Sequence, residues 1–255
     1  MMSVAAGLAL SGYRPVVYTI TPFTTYRCLE QIRVGVCYHE APVTIVGTGS
    51  GLAYTSLGPT HHSMEDVAML RTLPEMKVFC PADAMQVRAG LRASLAQDAP
   101  VYMRIGKKNE PLIHDEVPNL ELGRAIALRA GSDACLVVTG VMVPSALAAA
   151  EQLAERGVSV HVENFHTVKP LDTERLSELS ERFPVMAVIE EHGRIGGLYG
   201  AIAEWYAGQA NRAMRVLAFG SEDRFLHEIG TQDFARQHYG MSVTDIIDGV
   251  AAALP

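Results

Sequence analysis

Apolar residues in this chain fall into short runs divided by longer stretches with helical spacing. Met1 to Leu10 is apolar on every face and reads as a helix that begins without a cap residue and stops at Ser11-Gly12. Pro15 to Ile20 is β-rich and reads as a strand that Pro22 ends, while Cys28, Leu29, Ile32 and Val36 give helical spacing over Thr24 to Val36. Val43 to Val46 reads as a short buried strand released by Gly47-Thr-Gly-Ser-Gly51. Ser63 is placed to N-cap a following helix with Asp66 at N3. Lys77 to Cys80 is a further strand, Pro81-Ala-Asp83 opens a helix with Asp83 as N-cap and Gln86 at N3, and Val101 to Arg104 is a strand that ends in a charge.

From Pro111 to Leu122 the apolar period breaks down among prolines and mixed charges, and a domain boundary is expected there. The second half alternates cleanly. Strands are expected at Ala134 to Val138, Val158 to Val162, Val185 to Ile189 and Met214 to Phe219. Helices are expected at Pro144 to Arg156, Thr173 to Arg182, after Gly196-Gly197, and at Val243 to Ala253. Strands separated by helices require right-handed crossovers and mainly parallel sheets. The expected fold is therefore α/β in two domains, 1–118 and 119–255, each a mainly parallel sheet flanked by helices, with no obvious repeat between them.

Composition narrows the function. Apolar residues make up 49% and charged residues 19%, which suits an aliphatic-cored globular protein. A net charge of -7 and the lack of Lys/Arg runs argue against nucleic acid. No stretch of about 18 apolar residues and no basic leader region appear, so a membrane span and a signal peptide are not expected and a cytoplasmic location is. Cys28, Cys37, Cys80 and Cys135 lack Cys-x-x-Cys spacing and read as reduced core thiols.

The candidate chemistry lies at Leu57-Gly-Pro-Thr-His-His-Ser63, where His61 and His62 stand together on a loop beyond a strand end. Imidazole changes charge near neutrality and such loops bind ligands in α/β proteins, although a histidine there can also cap or pack locally. Gly47-Thr-Gly-Ser-Gly51 resembles a dinucleotide fingerprint only superficially, because no helix of usable length follows and no acidic residue stands at a strand end about 20 residues on.

Several segments together resemble one family. Val4-Ala-Ala-Gly-Leu-Ala9, Pro22-Phe23, Glu30-Gln-Ile-Arg33, Gly58-Pro-Thr-His61, Glu65-Asp66, Pro81-Ala-Asp83, Glu190-Glu-His192 and Gly196-Gly197 follow one another as in the C-terminal half of transketolases. The match is closest to the separately encoded C-terminal subunit of two-subunit transketolases. The resemblance implies a pyrimidine-binding domain followed by the family's C-terminal domain, acting with thiamine diphosphate to move a two-carbon ketol unit from a ketose, or ketose phosphate, to an aldose.

Residue by residue, the resemblance assigns Phe23 to stacking on the aminopyrimidine ring and Tyr26 to walling the same pocket, with a buried core pair as the alternative. His61 matches the histidine that contacts substrate oxygens, and His62 falls where several relatives have Gln. Arg104 matches a position used for a substrate phosphate, which a guanidinium can bind in bidentate fashion, and an ordinary salt bridge is its alternative. Ile20 stands at a cofactor-pocket position where transketolases tend to place another aromatic, and Leu57 where they usually have an Asp. The family's Gly-Ile-Ala-Glu-Gln signature, whose Glu protonates the pyrimidine ring, would fall just upstream of Met1. An in-frame copy there would restore it. No Gly-Asp-Gly segment followed by Asn occurs, so magnesium or calcium and the diphosphate are expected on a partner, the N-terminal transketolase subunit, with a second copy of this chain completing a two-fold assembly. The alternatives are the β component of a 2-oxo acid dehydrogenase and a catalytically silent interaction subunit.

Overall fold

The computed structural model describes residues 1–107, 109–210 and 212–254. Helix α1 (Met2–Leu10) leads to strand β1 (Val16–Ile20), and β2 (Thr44–Thr48), β3 (Lys77–Phe79) and β4 (Val101–Arg104) follow. These strands pair in parallel in the order β1-β2-β4-β3. β2 and β4 are buried along their whole length, as strands covered on both faces must be.

The helix expected over Thr24 to Val36 is broken. It divides into α2 (Thr21–Thr24), a tight turn at Tyr26–Cys28, α3 (Leu29–Gln31) and a wide π turn at Ile32–Cys37. The hydroxyls of Thr24 and Thr25 both donate to the Thr21 carbonyl, and the Cys28 thiol donates to Thr24 O. Such side-chain bonds compete with the helical ladder. Ser63 is not the cap of α4 (Asp66–Arg71): its hydroxyl accepts the Gly51 N–H at 2.7 Å, Glu65 takes the cap position, and Asp66 is buried. Helix α5 (Ala84–Leu95) starts as expected, with Asp83 accepting the Gln86 N–H.

In the second half β5 (Ile126–Arg129), β6 (Ala134–Val138), β7 (Val160–Asn164), β9 (Val185–Gly193) and β10 (Arg215–Ser221) form a sheet in the order β10-β9-β6-β7-β5, parallel except for β5. Helices α6 (Val143–Glu155), α7 (Thr173–Arg182), α8 (Leu198–Ala207), α9 (Gln232–His238) and α10 (Val243–Ala253) accompany it. Ser242 and Asp245 close a reciprocal capping box on α10. β5, α9 and the short β8 (Thr167–Lys169) were not expected from the apolar pattern. β8 leaves the second half to pair antiparallel with β3, through Val78↔Lys169 and Phe79↔Thr167. The Lys169 ammonium then donates to the Arg71 and Leu73 carbonyls. One continuous apolar cluster holds Ile45 and Val78 from the first sheet together with Val137 and Val188 from the second. The two halves therefore share a core, and side chains from one can be held accurately against loops of the other.

Candidate functional site

The carboxyl ends of β1, β2 and β4 release three loops that are tied to one another. The Thr21 hydroxyl donates to Thr48 O at 3.1 Å, fixing the turn that carries Phe23 against the end of β2. The Gly49 N–H donates to Gly106 O and the Ser50 N–H to Ile105 O, at 3.1 and 3.2 Å, so the loop after β2 runs along the loop after β4. Gly49 has a φ of 63°, and a Cβ there would stand 1.9 Å from the Tyr54 ring. The missing side chain is what lets Tyr54 lie against the backbone.

Phe23, His61, Tyr54 and Lys107 meet as a result. The Phe23 ring meets His61 edge-on at 5.6 Å between centroids, and Tyr54 meets the same imidazole at 6.1 Å. The Lys107 ammonium lies 4.4 Å from the centre of the Tyr54 ring. Phe23 keeps 36% of its surface exposed, and the Arg27 guanidinium lies over its ring at 5.6 Å. The Thr60 hydroxyl holds His61 Nδ1 at 3.0 Å. Together they make a partly exposed mouth with an aromatic face, an imidazole and two cations, Arg27 and Lys107, at its edge. Such a mouth can take a flat ring together with an oxygen-rich, anionic molecule.

Ile20 ends β1 half-buried behind this mouth, opposite Thr48. Tyr26 and His62 face elsewhere: both line a 660 Å3 cavity between the two halves, with Glu65, Gly193, Arg194, Ser221 and Tyr239. The Tyr26 hydroxyl donates to Glu65 Oε2 at 2.7 Å, and burial, with the nearby Asp66 charge, pushes the phenol above its ordinary range. Burial also lowers the His62 pKa, and its Nε2 is buried without a hydrogen-bond partner.

Arg104 differs from the phosphate contact the sequence suggested. It is 4% exposed, its Nε donates to Asp66 Oδ2 at 2.8 Å, and its Nη2 donates to the carbonyls of Ser63 and Glu191 at 2.8 and 2.9 Å. The Tyr102 hydroxyl also donates to Asp66 Oδ2. Burial alone would lower the guanidinium pKa, but the adjacent Asp66 carboxylate outweighs it and holds the group above its ordinary value. The salt bridge weighed as the alternative is the geometry found. Lys107, three residues further on, is a cation at the mouth, as Arg27 is over Phe23. His192 completes the buried set: its Nδ1 faces the Gly193 carbonyl at 2.8 Å and so carries the proton, leaving Nε2 to accept the Ala68 N–H.

Tyr54, Lys107, Gln232 and Arg236 were not singled out from the sequence, and Glu191 was noted only as part of a motif. A Lys just beyond a strand end and a Tyr in a glycine loop were the available signals. Among the described residues no three His, Cys, Asp or Glu side chains gather to hold a metal ion, and no helix is long and apolar enough to cross a membrane.

Residues 1–111 match the family model described as "Transketolase, pyrimidine binding domain", and residues 123–246 match "Transketolase, C-terminal domain". The chain is 36% identical over 247 residues to the 6-deoxy-6-sulfo-D-fructose transketolase subunit SqwH of Clostridium sp. strain MSTE9, covering 97% of this chain and 76% of that protein. It is 34% identical over 241 residues to a subunit of the apulose-4-phosphate transketolase of Phocaeicola vulgatus, covering 94% and 76%. A solved structure described as "Split gene transketolase, inactive beta4 tetramer" superposes with a TM-score of 0.91 at 34% identity, covering 99% of this chain and 80% of that one.

Proposed function

The chain belongs to the transketolase family, and from that premise we propose that it is the C-terminal component of a ketol transferase that takes its two-carbon unit from an anionic ketose. The observation that carries this reading is the juxtaposition of the exposed Phe23 face with His61, Tyr54 and the Lys107 ammonium at the carboxyl edge of the first sheet. Both of these relatives are named for a ketose that bears an anion, a sulfo group in one and a phosphate in the other. A cation held at the mouth answers that chemistry, and Lys107 takes the role first given to Arg104. The domain division we favour falls between residues 118 and 119.

Whether the residues present fit thiamine diphosphate is a question of shape. A partly exposed aromatic ring, on the turn that Ile20 and Thr21 open, suits the flat aminopyrimidine, and the residues fit that half of the cofactor. When bound, the cofactor supplies the carbon that accepts and passes on the ketol unit. Within this chain Phe23, with Ile20 at the end of β1 beside its turn, orients the ring. His61 hydrogen-bonds a substrate oxygen where charge develops, a contact worth about 2.7 to 4 kcal/mol in a well-formed site. Its Thr60 partner fixes the imidazole orientation. His62 lines the neighbouring cavity and supports the loop from its buried side.

The diphosphate and its magnesium or calcium belong, in this reading, to an N-terminal subunit, and the chain is inactive without it. The relatives named as subunits and the structure described as an inactive β4 tetramer support that division of labour. The test is reconstitution. Ketol transfer from a phosphorylated or sulfonated ketose should be seen when this chain is mixed with the diphosphate-domain subunit of a split transketolase, and not with either alone. A saturated, cofactor-loaded complex with no transfer from any anionic ketose overturns the proposal.

A further inference from the structure

We propose that Glu191, from the second sheet, is a positioning residue that fixes the substrate-facing loop of the first. The proposal deepens the reading above and rests on it for its kinetic consequence. The loop in question runs from Gly51 to Ser63 and presents Tyr54 and His61. Its two ends are stitched together: the Gly51 N–H donates to Ser63 Oγ at 2.7 Å and the Ser63 N–H donates to Gly51 O at 3.0 Å.

Glu191 grips both ends of that stitch. Its carboxylate is fully buried and Oε1 accepts the Leu52 N–H at 2.8 Å, just past the first end. Its backbone carbonyl shares the Arg104 Nη2 with the Ser63 carbonyl, at 2.9 and 2.8 Å, at the other end. Contact is so close that a Cβ on Gly51 would stand 2.4 Å from Glu191 Oε1, at a backbone φ of 63°. Only glycine fits both demands. The carboxylate is in turn aimed by α9, where Gln232 Nε2 donates to both oxygens at 2.9 and 3.0 Å and Arg236 Nε donates to Oε2. Leu52, Gln232 and Arg236 all donate, so a group that only accepts is required between them. Loop ends fixed in this way set the height of the His61 imidazole and the Tyr54 ring over the mouth, and displacements of about 1 Å in such groups cost up to about a hundredfold in rate.

The substitution Glu191→Gln keeps the shape and the Leu52 acceptor but turns an amide NH2 toward Arg236 and Gln232. Hydrogen exchange followed by mass spectrometry on the full chain should then show the amides of residues 52–62 exchanging at least about tenfold faster, with those of β6 and α10 unchanged. In the reconstituted complex, kcat/KM for an anionic ketose should fall about tenfold in the wild-type background and less than about twofold in a His61→Ala background, because the two groups act as one. Arg236→Met, which leaves Glu191 itself in place, should reproduce the exchange result if Glu191→Gln folds poorly. Uniform acceleration of exchange across both halves, or unchanged exchange in 52–62, would overturn the proposal. Faster loop exchange in a chain whose wild-type complex transfers no ketol unit would uphold Glu191 as the anchor of the loop while removing the transferase reading.

Discussion

Replacing Arg104 with Met separates the two roles open to it, because burial and substrate contact predict different readouts. The change removes the donors to Asp66, Ser63 O and Glu191 O and leaves the Asp66 carboxylate, itself 0% exposed, with the Tyr102 hydroxyl as its hydrogen-bond donor. Asp66 Oδ1 already lacks a partner, and His192 Nε2, at 4.0 Å, carries no proton to offer it. Breaking a buried pair by removing one member costs about 3 to 5 kcal/mol, mostly from the uncompensated charge. In a chain of this size each kcal/mol moves the midpoint by about 2 to 4 °C, so Tm should fall by about 6 to 20 °C. Adding Asp66→Asn removes the stranded charge and should recover a good part of that loss. Circular dichroism melts of the single and double variants, paired with ketol-transfer kinetics in the reconstituted complex, make the measurement. A Tm within about 2 °C of wild type together with a raised KM for anionic ketoses would refute the buried role and return Arg104 to the substrate.

Further outcomes follow from the same geometry. Lys107→Met should raise KM for sulfonated or phosphorylated ketoses with little change in Tm or in the KM of an uncharged ketose, as measured by initial rates; equal effects on both donors would count against an anion contact. Phe23→Ala should weaken thiamine diphosphate binding to the complex by calorimetric titration while leaving a folded chain, since the ring is partly exposed; unchanged affinity would remove it from the cofactor pocket. The isolated chain should self-associate at micromolar concentration, because edge strand β1 exposes Val16 and Tyr18 and the outer face of α1 exposes Val4 and Leu8; light scattering giving a monodisperse monomer contradicts this. Burial pushes His166 down to about 4 from 6.5, so the unfolded chain binds the extra proton between those values. Its contribution is full above pH 6.5 and is lost as pH falls toward 4, by about 3 kcal/mol at most. Urea midpoints of His166→Asn should lack that part of the slope.

Elements buried on both faces were legible because a continuous apolar run bounded by turn residues has few other uses. Val101–Arg104 and Ala134–Val138 appear with the expected limits, and the Asp83 cap of α5 holds as read. β8 was not legible. Three residues, Thr-Val-Lys, carry no period, and what makes them a strand is a partner in the other half of the chain. α9 was missed for a related reason. Its seven residues bury only Ala235, and its place is set by Gln232 and Arg236 meeting Glu191. The threonines at 24 and 25 promised ordinary helix propensity, yet both hydroxyls crowd onto the Thr21 carbonyl beside the Thr25 N–H, and the regular helix stops there.

The site divides along the same line. The resemblance put Phe23 and His61 at one site, and the structure brings their rings together from a turn at the end of β1 and the loop after β2. The role of Arg104 was not legible, since a guanidinium at a strand end can meet a substrate anion or a buried carboxylate. Asp66 decides between them. At N3 of a solvated helix it would have been exposed and indifferent to Arg104; with Ser63 drawn away to Gly51, it turns inward and needs a buried cation. A planar guanidinium can meet Asp66, Ser63 O and Glu191 O from one position, whereas a lysine ammonium has one point of charge to share among them. Arg104 is therefore the cation drawn inside, while the Lys107 ammonium rests on the Tyr54 ring beside His61.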